Sequence, residues 1–373
     1  MGFNNELSDI TVISLEQAVA APYCGLLLAE AGARVIKVER PEGDFARDYD
    51  NSANGESCIF AWLNRGKESI CLNLKETDDL NFFKILTSKS DILLSNLAPS
   101  TLDKLGIDIN DLRKKNPKLI TCKITGYGES REANNKKAYD FLVQAESGLC
   151  SVTGTEDTPS RVGISITDLS TGLTAYSAIL RSLIKRSKTG IGIDISISMF
   201  DVMADWMNMP LLSHRYMGGA PRRTGLKHAL ISPYGVYNCE DNGKILLSIQ
   251  NNREFMVFCN NVLKQPSLTK DQKYIDNPSR NKNRVELDNI INKVFSKLKT
   301  SEVELILDKF NIANSRLNTV EDLSNHNLIN NGEAIISNEI IRIANLPVLG
   351  ENKQNARVPN LGEHTISIKS EFN

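Results

Sequence analysis

The chain has 373 residues, of which 41% are apolar and 24% charged, an ordinary balance for a globular protein long enough to form two domains. Lys and Arg total 44 and Asp and Glu total 45, so the net charge of −1 argues against nucleic acid as the main partner. The polar, acidic start of the chain lacks the features of a signal peptide, and no apolar run is long enough to cross a bilayer. Seven cysteines without a C-x-x-C pair and four scattered histidines predict reduced thiols in a cytoplasmic protein and no metal site.

The N-terminal part of the chain alternates strand-like and helical segments. Short β-branched or apolar runs predict strands at 11–15, 35–38, 69–74, 91–96, 119–124 and 193–197. Apolar residues at helical spacing predict helices at 22–32, 78–88, 169–186 and 199–216, of which 169–186 is the clearest. This alternation indicates an α/β protein with a parallel sheet covered on both faces.

The pattern of predicted elements changes after Gly218–Gly219–Ala220–Pro221, which we interpret as a domain boundary. A hairpin at 235–250 and three helices at 253–263, 284–299 and 301–310 predict a smaller α+β unit. Residues 333–344 are again strand-like and precede a loop-rich tail.

Candidate ligand-binding residues follow the predicted strands, because open parallel sheets bind ligands beyond the carboxyl ends of their strands. Gln17 follows the first strand, Arg40 and Arg47 follow the second, and Asn96 and Lys104 follow the fourth. Composition alone favours plain structural roles for each of them. The chain has no G-x-G-x-x-G after a strand, which disfavours a nicotinamide-dependent oxidoreductase, and neither a P-loop nor a G-x-S-x-G motif.

Asp168 is the strongest candidate for a catalytic residue, because it lies at the end of a strand-like segment just before the clearest helix. Asp is a preferred N-cap residue, and composition alone favours that role. The alternative is a carboxylate nucleophile at a helix terminus in a site closed to water. Spacing along the chain does not choose between the two.

Several longer motifs recur in one order along the chain. They include GARVIKVER at 32–40, NRGK at 64–67, LNLK at 72–75, YDF at 139–141 and LGEHT at 361–365. Together with Gln17 and Asp168, these segments resemble the family III CoA-transferases, whose superfamily also contains the alpha-methylacyl-CoA racemases. The resemblance spans nearly the whole chain.

The resemblance implies a Rossmann-like large domain with a parallel sheet, a smaller α+β domain and a C-terminal return to the large domain. We place the first part of the large domain at 1–217, the linker and small domain at 218–325 and the return at 326–373. An interlocked homodimer is also implied.

The resemblance further implies that Asp168 is the covalent nucleophile, with Gln17 beside the reacting acyl group. Positions around coenzyme A, a substrate rather than a permanently bound cofactor, are matched by Arg40, Leu74, Lys75, Asn96, Lys104, Lys137 and Tyr139. Lys104 stands where several relatives carry Arg, which replaces a bidentate donor by a point charge. The predicted substrate pocket contains Arg47, Tyr49 and His228.

Two further functions compete with CoA transfer. A racemase needs two acid–base groups, and its pattern supplies a His where this chain has Tyr139; a phenol with an ordinary pKa of about 10 is a poor base at neutral pH. A catalytically silent CoA-binding protein is disfavoured by the presence of Asp168 and Gln17.

The acceptor acid is less defined. The glycine-rich lid of formyl-CoA transferases is missing after Arg222, which disfavours a formyl/oxalate pair, and loop 129–137 departs from the pattern of many relatives. Arg222, Arg223, Lys227 and His228 either place a cation near the acyl group, favouring succinate, malate or a methylated C5 acid, or form a basic linker.

Overall fold

The structure is a computed structural model that describes residues 5–53, 55–128, 133, 136–337, 339–348 and 357–372. The chain divides into two compact units. The first comprises Met1–Leu149, Arg161–Met209 and Asn330–Asn373, and the second comprises Cys150–Ser160 and Pro210–Ile329. The sequence-based domain boundaries stay a prediction.

The first unit is built on a six-stranded parallel sheet in the order β3-β2-β1-β4-β5-β6. Its strands are β1 Thr11–Leu15, β2 Arg34–Glu39, β3 Glu68–Cys71, β4 Ile92–Ser95, β5 Ile120–Thr125 and β6 Asp194–Ser198. The predicted α/β class and parallel sheet are confirmed. The strand order reverses between β1 and β4, which is where open α/β sheets bind ligands.

Helices cover both faces of this sheet. The helices of this unit are α1 Ala20–Glu30, α2 Cys58–Asn64, α3 Thr77–Ser88, α4 Pro99–Lys104, α5 Ile109–Lys115, α6 Asp140–Glu146, α8 Ile166–Thr189 and α9 Met199–Trp206, with a 3-10 helix at Phe45–Asp48. Two further helices, α7 Leu149–Val152 and α10 Asn208–Tyr216, begin in this unit and continue in the second. One core packs α1, α8 and α9 against the sheet, and the other packs α3, α5 and a C-terminal helix, Thr365–Phe372, against its opposite face. A hairpin of β10 Asn331–Ile336 and β11 Glu339–Ala344 completes the unit.

The second unit contains an antiparallel three-stranded sheet. Its strands are β7 Tyr234–Asn238, β8 Lys244–Ser248 and β9 Ala313–Arg316, and its helices are Asn252–Val257, Asn277–Lys282, Arg284–Phe295, Thr300–Lys309 and Val320–Ser324, with a π turn at Phe258–Val262 and a 3-10 turn at Pro266–Lys270. The predicted hairpin is confirmed as β7–β8. Its core gathers Ile245, Leu247, Phe258, Leu287 and Phe295.

Two details of the sequence analysis were wrong. The clearest helix begins at Ile166 rather than Leu169, so Asp168 lies inside its first turn. The residues directly before the helix do not form the strand that was predicted there. The predicted helix at 199–216 breaks at Met207, the C-terminal cap of α9. Most of loop 129–137 lies outside the described residues. Within the part of the chain that the structure describes, no helix is both long and apolar enough to cross a membrane.

Candidate active site

Asp168 is the third residue of α8. The N-terminal cap residue of that helix, Ser165, makes no side-chain capping hydrogen bond. The backbone amides of Thr167 and Asp168 instead donate to Oδ1 of Asp140, at 2.8 Å and 3.4 Å. The capping role that composition favoured for Asp168 therefore falls to Asp140, and the Asp168 side chain is not used to close the helix.

The environment of the Asp168 carboxyl group disfavours its charge. Burial, and then the negative charge of Asp140, raise the pKa of Asp168 from an ordinary 3.8 to about 7. No described residue donates a hydrogen bond to this carboxylate. An anion with so little stabilisation is well suited to attack an electrophile.

Asp168 lines a cavity of about 670 Å³, which we call the Asp168 cavity. Its walls also include five residues that the sequence analysis had singled out: Gln17, Tyr49, Asn96, Lys137 and Tyr139. Among the described residues, no group of three or more His, Cys, Asp and Glu side chains could hold a metal ion.

A smaller cleft of about 210 Å³ is lined by Arg40, Leu74 and Lys75. Apolar side chains from the sheet ends form much of its wall, namely Leu15, Val38, Leu72, Leu97 and Leu105. Gln17 lines both this cleft and the Asp168 cavity. A ligand lying along the carboxyl ends of β1 and β2 would therefore reach Asp168 past Gln17.

The backbone of Gln17 is held on both sides by one side chain. Its N–H donates to Oδ1 of Asn96 at 2.9 Å, and its carbonyl accepts from Nδ2 of Asn96 at 2.7 Å. The next residue, Ala18, has φ +61°, a left-handed conformation that an alanine rarely adopts, and its N–H donates to Asp44 at 3.2 Å. The turn between β1 and α1 is thus fixed from two neighbouring strands.

A fully buried ion network lies directly behind that turn. Glu16 Oε1 is 2.5 Å from Lys67 Nζ, and Asp44 Oδ2 is 2.8 Å from Lys37 Nζ. Burial alone would raise the pKa of Glu16, but Lys67 and Lys37 outweigh it and lower this pKa to about 2. Burial lowers the pKa of Lys67 to about 8, and Glu16 opposes only part of that shift.

Comparison with known proteins bears directly on this site. Residues 7–365 match the family model for CoA-transferase family III. This chain belongs to CoA-transferase family III. It is 31% identical to the succinyl-CoA:glutarate CoA-transferase of Mus musculus over 348 residues, which cover 92% of this chain and 78% of the mouse protein. It is 35% identical to the succinate–glutarate CoA-transferase of Agrobacterium fabrum over 294 residues, covering 76% and 73% of the two chains.

A solved CaiB/BaiF family protein from Brucella suis has the same fold as this CoA-transferase. Its TM-score is 0.85 at 28% identity, and the match covers 99% of this chain and 100% of that chain. The recognition of an enzyme of family III from its sequence motifs is confirmed, and racemisation is not favoured.

The remaining predicted residues of the CoA-transferase lie outside the Asp168 cavity. Arg40 is exposed and donates from Nε to the carbonyl of Gly43 at 3.0 Å, and Lys104 ends α4 and lines neither the cavity nor the cleft. Arg47 also lines neither, because its guanidinium is held by Glu39 at 2.8 Å and lies 3.9 Å from the centre of the Phe60 ring.

His228 belongs to the second unit of the CoA-transferase. Its ring stacks on Tyr234 with centroids 5.1 Å apart, and Nδ1 accepts from the backbone amides of Leu230 and Ile231. Its assignment to the substrate pocket stays a prediction.

Sequence reasoning missed three features of the CoA-transferase site. Asp140 was noted only as the neighbour of Tyr139, although it binds the terminus of α8. Lys67 stands in the NRGK motif, which was a usable signal, but its partner Glu16 is 51 residues away in the chain. Arg161 lines the Asp168 cavity, and no motif marked it.

Proposed function

We propose that this CoA-transferase moves CoA from an acyl-CoA donor to a carboxylic acid through covalent intermediates on Asp168. One observation carries the proposal: a mostly buried carboxyl group without a hydrogen-bond donor among the described residues lies in the same cavity as the fixed Gln17 turn. Such a group is a nucleophile that needs no general base once it is ionised.

The first step is attack by a carboxylate oxygen of Asp168 on the carbonyl carbon of the thioester. A new C–O bond forms, the C–S bond breaks, and the CoA thiolate leaves with the electron pair, so no proton is required. The product is a mixed anhydride between Asp168 and the donor acyl group. In this scheme the side-chain amide of Gln17, a residue that lines the same cavity, donates to the oxygen on which negative charge develops.

The second step returns the thiolate to the aspartyl carbonyl carbon. The bond between that carbon and the bridging oxygen of the anhydride breaks, the donor acid leaves as a carboxylate with the electron pair, and Asp168 carries CoA as a thioester. An acceptor carboxylate then attacks that thioester, and the same two steps in reverse release the new acyl-CoA and restore Asp168. Atoms and charge balance at every step without an external reagent.

The smaller cleft is the proposed place for the nucleotide end of CoA. Arg40 and Lys75 supply cations at its edge, and Leu74 supplies part of an apolar wall. Lys137 and Tyr139 then contact the pantetheine arm of CoA where it approaches Asp168, since both line the Asp168 cavity. Asn96 acts in this scheme by holding Gln17, because both ends of its side-chain amide bond the Gln17 backbone. Lys104 remains a candidate phosphate partner.

The acceptor is proposed to be a small or dicarboxylic acid such as succinate, malate or a methylated C5 acid. Relatives from mouse, Agrobacterium fabrum and Haloarcula marismortui are CoA-transferases named for succinate or succinyl-CoA together with glutarate or mesaconate. Lys137 and Arg161 line the Asp168 cavity and can interact with a second carboxylate, whereas Lys136, which also lines it, is paired with Glu146. Arg223 instead donates to three carbonyls of the second unit, those of Ser151, Thr155 and Glu156.

A homodimer belongs to the same proposal, on the strength of the family resemblance. Size-exclusion chromatography with light scattering measures the mass in solution, and a mass twice the 41.4 kDa of the chain is expected.

The test of the covalent mechanism is mass spectrometry of the intact protein after mixing with succinyl-CoA and a panel of other acyl-CoA donors. We expect a CoA-sized adduct that maps to Asp168, is released by hydroxylamine and is lost in Asp168→Ala. Asp201→Ala is the matched control, since Asp201 is an exposed aspartate in the first turn of α9. Absence of an adduct with every donor would refute the covalent mechanism, and exchange of the α-proton in heavy water would then point to racemase chemistry.

A further inference from the structure

The first turn of α8 satisfies all of its backbone amides without the Asp168 side chain. Thr167 and Asp168 donate to Asp140, Ile166 donates to the carbonyl of Ile164 at 2.8 Å, and Leu169 donates to the carbonyl of Ser165 at 3.0 Å. An acidic residue in a first helical turn normally gains from free amides and from the helix dipole. At Asp168 those donors are already occupied.

Asp140 is held firmly in the place from which it binds these amides. It begins α6, its side chain is buried, and its Oδ2 accepts from Nε2 of Gln144 at 2.7 Å, one turn further along that helix. Gln144 is itself fully buried, and its Oε1 accepts from the amide of Val162 at 2.9 Å, just before α8. Gln144 therefore ties Asp140 to the approach of α8.

We propose that Asp140 is a positioning residue for CoA transfer: it takes the amide donors of the α8 terminus away from Asp168 and leaves the Asp168 carboxylate unpaired and ready to attack. This inference rests on the proposed nucleophilic role of Asp168. A carboxylate that no donor stabilises is more basic, and nucleophilicity rises with basicity. The same placement sets a negative charge near Asp168, which makes the ionised form harder to reach at low pH.

Several other titratable groups lie around Asp168, either in its cavity or on the elements packed against α8. Besides Asp140, those that share its cavity are Tyr49, Tyr127, Tyr139, Lys136, Lys137 and Arg161. Elements packed against α8 bring further groups, among them Tyr23 on α1, Glu146 on α6, Lys123 on β5, Asp194 on β6 and Asp201 on α9. Lys136 is paired with Glu146, and of all these charges only that of Asp140 acts strongly on the pKa of Asp168.

The test is the pH dependence of CoA-adduct formation in a single turnover, followed by mass spectrometry. In the wild-type protein the rate should rise with pH through about 7, because the attacking group must be ionised and the pKa of Asp168 is raised to about 7. In Asp140→Asn the midpoint should move down by roughly one pH unit, since one like charge is removed while burial remains. The rate at high pH should fall several-fold, because a less basic carboxylate attacks more slowly.

Two control variants separate charge from packing. Gln144→Leu removes a hydrogen bond of Asp140 but keeps its charge, and Asp201→Asn removes an exposed carboxylate on a helix packed against α8. Both should keep the wild-type midpoint. If Asp140→Asn fails to fold, Asp140→Ser is measured in its place, because a serine hydroxyl can still accept from Thr167.

A midpoint of Asp140→Asn that coincides with the wild-type midpoint would overturn the inference, as would an equal displacement in Gln144→Leu. The failure of the proposed function looks different: in that case the wild-type protein forms no adduct on Asp168 at any pH.

Discussion

Two carboxyl groups of the first unit, Glu16 and Asp168, are both taken out of water, yet their acidities move in opposite directions. Glu16 is fully buried between Lys67 and Lys37, and its pKa is about 2. Asp168 lies beside another aspartate without a donor among the described residues, and its pKa is about 7. Burial opposes ionisation in both groups, so the charges of the neighbouring residues decide whether the pKa is lowered or raised.

The comparison separates a carboxylate with a structural role from the proposed nucleophile. Glu16 also accepts from Ser14 at 2.6 Å, so its anion is satisfied and inert behind the Gln17 turn. Asp168 accepts no hydrogen bond from any residue that the structure describes. The stabilising interactions are concentrated on Glu16, one residue before Gln17, while Asp168, which lines the same cavity as Gln17, has none of them.

The largest expected effect is on catalysis. Asp168→Ala should lower kcat by on the order of 10³ or more, because Asp140, the other carboxylate that lines the cavity, is bound by the α8 amides and by Gln144. Steady-state assay with succinyl-CoA and several dicarboxylic acids measures it. Asp201→Ala should retain wild-type kcat, and comparable losses in the two variants would contradict the assignment of the nucleophile.

The next effect is on stability. Glu16→Gln leaves Lys67 buried without a counter-charge and should cost about 3–5 kcal/mol in the free energy of unfolding. Urea unfolding followed by tryptophan fluorescence reports on this unit, since both tryptophans, Trp62 and Trp206, lie in it.

Two variants control the Glu16 experiment. Adding Lys67→Met to Glu16→Gln should restore part of the loss, because the stranded charge is gone. Asp111→Asn breaks an exposed pair with Lys114 in the same unit and should change stability little. If Glu16→Gln is as mild as Asp111→Asn, the buried pair is not a determinant of stability.

The third effect is on the pH dependence of stability, because an ionised Asp168 without a hydrogen-bond donor lowers the free energy of unfolding. Its folded pKa lies above its ordinary value, so between these two values the folded state binds more protons and stability falls as pH rises. Above about pH 7 the full cost applies, and Asp168→Asn should stabilise the protein by about 4 kcal/mol near pH 8. Near pH 4 the same substitution should be almost neutral, and a gain that is independent of pH would contradict this explanation.

The smallest expected effect concerns the hydroxyl that serves Glu16. Ser14→Ala removes one hydrogen bond to a charged acceptor and should cost about 1.5 kcal/mol in the same unfolding measurement. Because Lys67 remains, Glu16 should stay ionised and kcat should be unchanged. A cost as large as that of Glu16→Gln would mean that the hydroxyl, and not the lysine, keeps the carboxylate charged.

The sequence predicted the sheet well because its strands are short, apolar and separated by helices of the right length. Five of the predicted site residues, Gln17, Tyr49, Asn96, Lys137 and Tyr139, lie with Asp168 around one cavity, since the loops after parallel strands meet at one edge of the sheet. The start of α8 was misplaced by three residues, because the signal that was read, the apolar repeat, begins after the first turn.

The sequence alone determined the fold class, the family and the candidate nucleophile, because these depend on local periodicity and on motifs that are contiguous in the chain. Only the tertiary structure decided what each charged residue does. Arg47 faces Glu39 and Phe60, Glu16 meets a lysine 51 residues away, and Asp140 reaches the terminus of a helix 27 residues further on. The acidity of a buried group is set by the charges and donors within a few ångströms, and folding brings those together from segments that are far apart in the chain.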